Sequence, residues 1–79
     1  MEIKILGSGC PNCKRLEKLA REAAAELGIE ATFTKVQDFD AIMAYDITST
    51  PALVIDEVVV VSGRVPRKDE IVVLLQAEG

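Results

Sequence analysis

The chain has two cysteines, three residues apart, in Cys10-Pro11-Asn12-Cys13. Three residues is almost one turn of α-helix, so in a helical segment the second sulfur returns to the side of the first. Pro11 suits the first position of a helix, where its missing N–H costs nothing, and this places Cys10 at the helix start. Free backbone amides and the positive end of the helix dipole stabilise a thiolate there, so the Cys10 thiol is expected to titrate below the ordinary value of about 8.5. Lys14 and Arg15 add positive charge nearby. Cys13 lies three residues before Leu16 and shares its inward face, which makes it the more buried of the two. Gly7 and Gly9 keep the approach to Cys10 clear of side chains, with Pro11 and Asn12 as the spacer between the sulfurs. Such a pair suits thiol-disulfide exchange: the Cys10 thiolate attacks a target disulfide, and Cys13 resolves the mixed disulfide, leaving a Cys10–Cys13 bond and a reduced target. Two other readings stay open at this point, an inert pair of small hydrophobes and a soft-metal site for Cu(I) or Zn(II).

Composition narrows what else the chain could do. It has 79 residues and no histidine, which removes Ser-His and Cys-His catalytic pairs, imidazole metal ligands and any side chain with an unperturbed pKa near neutrality. Redox, nucleophilic or soft-metal work therefore falls on the cysteines, with no other cofactor or metal expected. Two cysteines are too few for the disulfide framework of a small secreted domain, and a bond closing so short a loop restricts the unfolded chain little. With 49% hydrophobic and 28% charged residues, one domain over residues 1–79 can bury a core, with a net stability of roughly 4 to 12 kcal/mol. Nine basic against thirteen acidic side chains give a net charge of −4 and a pI near 4.7, the wrong sign for a nucleic-acid binder. Met1 runs straight into Glu2-Ile3-Lys4-Ile5 without a signal-peptide pattern, and apolar runs such as Ile71 to Leu75 fall far short of the ~20 residues of a membrane helix. A cytoplasmic monomer is the expectation.

The elements that position the cysteines follow from apolar spacing. Residues 2 to 6 read as a strand leaving into Gly7-Ser8-Gly9. From Pro11, Leu16, Leu19, Ala20, Ala23, Ala24 and Leu27 recur at helical spacing, and Gly28 supplies the stop. Ile29 to Val36 reads as a second strand, parallel to the first because a full helix separates them. Asp38 is a candidate N-cap for a short helix to about Tyr45, with Phe39, Ile42 and Met43 as its buried stripe. Thr48-Ser49-Thr50-Pro51 ends it. Ala52 to Ile55 and Val58 to Val61 flank Asp56-Glu57 as a hairpin, and their unbroken apolar runs predict a sheet covered on both faces.

The last segment, Ile71-Val72-Val73-Leu74-Leu75, has strand composition. Pro66 precedes it, however, Asp69 and Glu70 sit where a helix dipole favours acids, and Ile71, Leu74 and Leu75 fit one helical stripe. The helical reading gives the order β-α-β-α-β-β-α, an α/β fold with a four-stranded mixed sheet.

Thr50-Pro51 stands at a strand entrance 37 residues after Cys13. Taken with Cys10-Pro11-Asn12-Cys13, the run Ser49-Thr50-Pro51-Ala52-Leu53-Val54-Ile55-Asp56, the segment Gly63-Arg64-Val65-Pro66 and this element order, the chain resembles the thioredoxin superfamily. It is most similar to the small, glutaredoxin-sized redox proteins of archaea and bacteria. The resemblance implies a thioredoxin-like three-layer sandwich and a protein-disulfide reductase or dithiol electron carrier. In that setting Cys10 is the nucleophile, Cys13 the resolving thiol, and Gly9, Pro11 and Asn12 support them. It further implies that Pro51 is cis beside the Cys10–Cys13 disulfide and that the backbone of Thr50 pairs with an extended client segment. Its implied partners are client proteins with disulfides and a flavoprotein reductase of the thioredoxin reductase kind.

The chain also departs from its better-known relatives. Gly9 replaces the aromatic residue before the first cysteine, Pro-Asn replaces Gly-Pro between the cysteines, and Lys4 stands where thioredoxins carry a buried acid. Ser62-Gly63-Arg64 does not reproduce the Gly-Gly turn with which glutaredoxins hold glutathione. A Cu(I) carrier built on the same sulfurs needs the order β-α-β-β-α-β, with residues 71 to 75 as a strand, and a Met where this chain has Ser8. A non-catalytic interaction module on the same fold is the third reading.

Overall fold

A computed structural model describes residues 1–78, so residue 79 of the expected 1–79 domain lies outside the described residues. The order is β1 (Glu2–Leu6), α1 (Pro11–Leu27), β2 (Thr32–Val36), α2 (Phe39–Met43), β3 (Ala52–Ile55), β4 (Val58–Ser62) and α3 (Lys68–Glu78). The sheet order is β2-β1-β3-β4. The α1 crossover makes β1 and β2 parallel, whereas β3 runs antiparallel to both β1 and β4.

Alternation along β1 divides the core in two. Ile3 and Ile5 face Leu16, Ala20, Ala23 and Ala24 of α1, Ile71 and Leu75 of α3, and Leu53 and Ile55 of β3. Leu6 faces the other way, onto Ala52, Val54, Ile42 and Ile47. The result is three layers, with α1 and α3 on one face of the sheet and α2 on the other. All four residues of β3 are fully buried because the strand is central and covered on both sides. The alanines on the inner face of α1 let it approach α3 and the sheet closely. Gly28, at φ 67°, closes the helix, with its N–H donating to the Ala25 carbonyl and the Ile29 N–H to that of Ala24.

That closure explains one difference from the expected elements. Ile29 is tied to the end of α1, so β2 starts at Thr32, whose N–H donates to the Met1 carbonyl at 2.9 Å. A second difference concerns α2. Asp38 caps it, its Oδ2 accepting the Ala41 N–H at 3.1 Å, but the helix is little more than one turn and aims only Ile42 at the sheet. Phe39 and Met43, expected inside, are 72% and 47% exposed, and Tyr45 and Ile47 beyond the helix fill the layer in their place. A third concerns β4, which is an edge strand with Val58 49% exposed and so is not covered on both faces. A bulge shifts its register, pairing Leu53 with Val61 but Val54 with Val59.

The Asp56-Glu57 turn has both residues in the left-handed region, at φ 47° and 69°, as a two-residue hairpin requires. Side-chain bonds compensate for the missing glycine. Asp56 Oδ1 accepts the Glu2 N–H at 2.8 Å, and Glu57 accepts from both Lys4 Nζ and the Tyr45 hydroxyl. Lys4 Nζ also donates to the Tyr45 hydroxyl at 2.8 Å and lies 3.4 Å from Glu2. The Glu57 carboxylate, then Tyr45, holds Lys4 protonated well above its usual range, and Lys4 in turn holds Glu57 below the usual carboxyl value.

The C-terminal segment is helical, with Ile71 and Leu75 fully buried and Val73 62% exposed. A strand would place residues 71, 73 and 75 on one face. Ile71→Ala is therefore expected to cost about 2 to 5 kcal/mol and Val73→Ala less than about 0.5 kcal/mol in urea unfolding. Equal costs at the two positions would contradict the helical packing. For Glu57, whose folded pKa is lowered, the stabilisation is present above its unfolded value and is lost as pH falls through the folded one. Glu57→Gln should accordingly show a shallower loss of thermal stability below about pH 4.5 than the parent chain, and an unchanged acid limb would remove Glu57 from that role.

Candidate active site

β1 delivers the chain to the cysteines. Gly7 extends the strand ladder by donating its N–H to the Val36 carbonyl at 3.0 Å, and Gly9, at φ 84°, turns the loop into α1. Cys10 is the N-cap residue, with an extended backbone. Its carbonyl accepts the first helical bond from the Lys14 N–H at 3.0 Å, and its sulfur accepts the Cys13 N–H at 3.2 Å. A sulfur in that position takes up one of the free amides of the first turn, which favours negative charge on it.

Cys10 and Cys13 form a disulfide, with their Cα atoms 5.0 Å apart. Cys10 is half-buried, whereas Cys13 is 5% exposed. Pro11 is the first helical residue, and it and Asn12 lie exposed on the outer side of the pair. Gly7 is where the fit is closest. A Cβ added there would overlap the Cys13 sulfur and stand 3.9 Å from the Thr50 Cβ, so only a glycine lets helix, strand end and Thr50 loop meet.

The Thr50–Pro51 peptide bond is cis. Pro51 is buried and Thr50 exposed, beside the same loop. The Pro51 carbonyl accepts the Gly63 N–H at 2.9 Å, tying this turn to the end of β4. Gly63, at φ 81°, packs so that a Cβ on it would come within 2.8 Å of Ser49 Oγ. Thus the fold collects Gly9, Cys10, Pro11, Asn12 and Cys13 from one end of α1, and Thr50 and Pro51 from the entrance to β3. Lys4 lies elsewhere, turned to the α2 face with Tyr45 and Glu57.

Two features around the pair escape the sequence motifs. A groove of about 270 Å³ runs along the α2 side, lined by Ser8, Thr50, Ile47, Phe39 and Met43 among others. Its walls include Phe39 and Met43, the two apolar side chains that the helical spacing placed inside. A smaller chamber of about 40 Å³ adjoins Cys13 and is lined in part by Glu17, Lys35 and Gln37. Glu17 could have been noticed from its place one helical turn after Cys13. Lys35 is brought there only by the pairing of β2 with β1, opposite Ile5, which no local pattern shows.

The terminal helix and the order β-α-β-α-β-β-α differ from what a Cu(I) carrier of the β-α-β-β-α-β kind requires. Comparison with known proteins agrees. The family model described as "Thioredoxin domain" matches residues 1–76. A protein named thioredoxin from Methanothermobacter thermautotrophicus is 48% identical over 71 residues, covering 90% of this chain and 92% of that relative. Another of that name, from Methanocaldococcus jannaschii, is 38% identical over 69 residues, covering 87% of this chain and 79% of the relative. Helix-capping cysteine, terminal helix and a match spanning all but the last few residues converge, and the chain belongs to the thioredoxin family.

Proposed function

We propose that this thiol-disulfide oxidoreductase reduces disulfides in client proteins with Cys10 as the attacking thiolate and Cys13 as the resolving thiol. The observation that carries the reading is the asymmetry of the pair. Cys10 caps the helix and accepts an amide hydrogen bond, whereas Cys13 is sealed against Gly7. The attacking sulfur is thus the one a client can reach, and the resolving sulfur is held within bonding reach of it. Electron transfer is carried by the cysteine pair itself: each cycle converts two thiols into the Cys10–Cys13 bond and one client disulfide into two thiols.

The client lies along Thr50, its extended backbone pairing with the Thr50 backbone while Pro51 keeps the turn close to the sulfurs. An apolar side chain beside the client cysteine enters the groove between Thr50 and Met43. Glutathione is a poorer fit, because the Gly63 N–H is committed to the Pro51 carbonyl and Gly63 itself is packed on Ser49. The oxidised protein is returned to the dithiol by a separate reductase, with a flavoprotein of the thioredoxin reductase kind as the proposed donor. The working form is a cytoplasmic monomer. Among the described residues no helix is long and apolar enough to cross a membrane.

Reduced protein should reduce insulin disulfides with dithiothreitol as electron source, and in a time course with iodoacetamide Cys10 should be alkylated well before Cys13. Slow, equal labelling of both sulfurs, or no insulin reduction, would overturn the reading. For the groove, Met43→Asp is expected to lower kcat/KM for a client peptide bearing Leu or Phe beside its cysteine by about fivefold to tenfold, in line with a partly buried apolar side chain. Reduction of a small aliphatic disulfide should stay unchanged, and an equal loss on both substrates would rule the groove out as a client seat.

A further inference from the structure

Ion pairs occupy most of the basic side chains: Lys4, Arg21, Lys35, Arg64 and Lys68 each have a carboxylate partner. Lys14, Arg15, Lys18 and Arg67 take part in no ion pair among the described residues, and the two arginines line one groove. That groove, of about 360 Å³, lies between α1, which supplies Arg15 and Leu19, and the approach to α3, which supplies Val65, Pro66, Arg67 and Lys68. Pro66 is fully buried and Leu19 and Val65 are half-buried, so the floor is apolar, whereas Arg15 and Arg67 stand exposed. No acidic side chain lines the groove among the described residues, and Glu26 and Glu70 of the flanking helices are held by Lys68 and Arg64. Both walls lead to the active site. Arg15 follows Cys10 by five residues, and Val65 follows Gly63, whose N–H is bound to the Pro51 carbonyl, by two. The groove beside Thr50 is lined by α2 on one face of the sheet, and this one by α1 and the start of α3 on the other. A client crossing Cys10 by way of Thr50 is thus offered an apolar seat on one face and a basic one on the other.

We propose that the groove between Arg15 and Arg67 seats an acidic segment of the protein partner, a run of Asp or Glu side chains in the chain that carries the exchanged disulfide. The inference rests on the reading of Cys10 and Cys13 as a protein-disulfide exchange pair. Carboxylates suit the groove because a guanidinium presents paired N–H donors to both carboxylate oxygens, while the aliphatic stem of a glutamate lies against Leu19 and Val65. A nucleic acid does not suit it. A long polyanion also meets the field of a chain whose net charge is −4, whereas a short acidic run meets only the groove. Because both arginines are exposed, their part is the encounter and selection of partners, and the bond exchange stays with the sulfurs.

The test compares peptide disulfides that differ only in a run beside the cysteine, glutamate in one and glutamine in the other, with the run placed before the cysteine in one pair and after it in a second. At low salt kcat/KM should favour the better glutamate peptide by about fivefold to tenfold, and the preference should vanish near 1 M salt, where screening acts within about 3 Å. Arg15→Gln and Arg67→Gln should each cut the preference by about twofold to threefold, the worth of an exposed charge pair. The preference is a ratio taken on one variant, so any change in the acidity of Cys10 cancels. Lys18→Gln makes the same change of net charge outside the groove and should leave the preference nearly intact. An equal loss with Lys18→Gln, or equal rates on the glutamate and glutamine peptides, overturns the proposal. Binding is read separately by titrating a cysteine-free glutamate peptide into the isotope-labelled oxidised protein, where the amide signals of Arg15, Leu19, Arg67 and Lys68 should shift ahead of those of β2. No shift at these residues overturns the proposal whether or not any peptide is reduced. Failure of the exchange reading would appear instead as no turnover of either peptide.

Discussion

The contact on which the rest of the site depends is the seating of the Cys13 sulfur against the backbone of Gly7. No side chain fits between them. That contact fixes the first turn of α1 against the end of β1, and with it the place of Cys10 at the helix cap. It also brings the Thr50 loop to the same point, since Thr50 borders Gly7 from the other side. A strand end, a helix start and a cis-proline turn are thereby brought together around one sulfur of the disulfide. The differing accessibility of the two sulfurs is a consequence of this packing, not of any difference in their chemistry.

A chain this short has few layers to spend on support, and it concentrates them. The larger core lies between the sheet and the α1–α3 pair, directly beneath the cysteine helix. The opposite face is thin, covered by one short helix and by Tyr45 and Ile47. The thinness leaves Phe39 and Met43 exposed beside the Thr50 turn, and it lets Lys4 bridge Tyr45 and Glu57 at the hairpin. Lys4 holds the hairpin edge from this face of the sheet, while Glu17 and Lys35 pair on the other. The hairpin and the chamber beside Cys13 thus hold separate ion pairs.

Much of this was legible in the residues. Apolar spacing and Gly28 define α1, the intervening helix makes β1 and β2 parallel, and Asp69-Glu70 after Pro66 mark the last helix despite its strand-like composition. The side on which a residue ends up was less legible where an element is short. Phe39, Ile42 and Met43 share a helical stripe, yet a helix of five residues has only one side chain's width of sheet to cover. Val58 reads as core but falls on an edge strand, a property of sheet order and not of local sequence. The cysteine pair announces itself by spacing and helix position, whereas the cis bond at Pro51 entered only through family resemblance. The placing of Lys35 at the chamber that Cys13 borders depends on strand register, which spacing along the chain does not encode.

The proposed chemistry turns on the order of attack, Cys10 first and Cys13 second. Incubating Cys13→Ser with an oxidised client and mapping the covalent product by mass spectrometry tests it most directly. The expected product is a persistent mixed disulfide joining Cys10 to the client, released only by added reductant, with none of comparable yield from Cys10→Ser. Accumulation of the adduct with Cys10→Ser in place of Cys13→Ser would reverse the roles and contradict it.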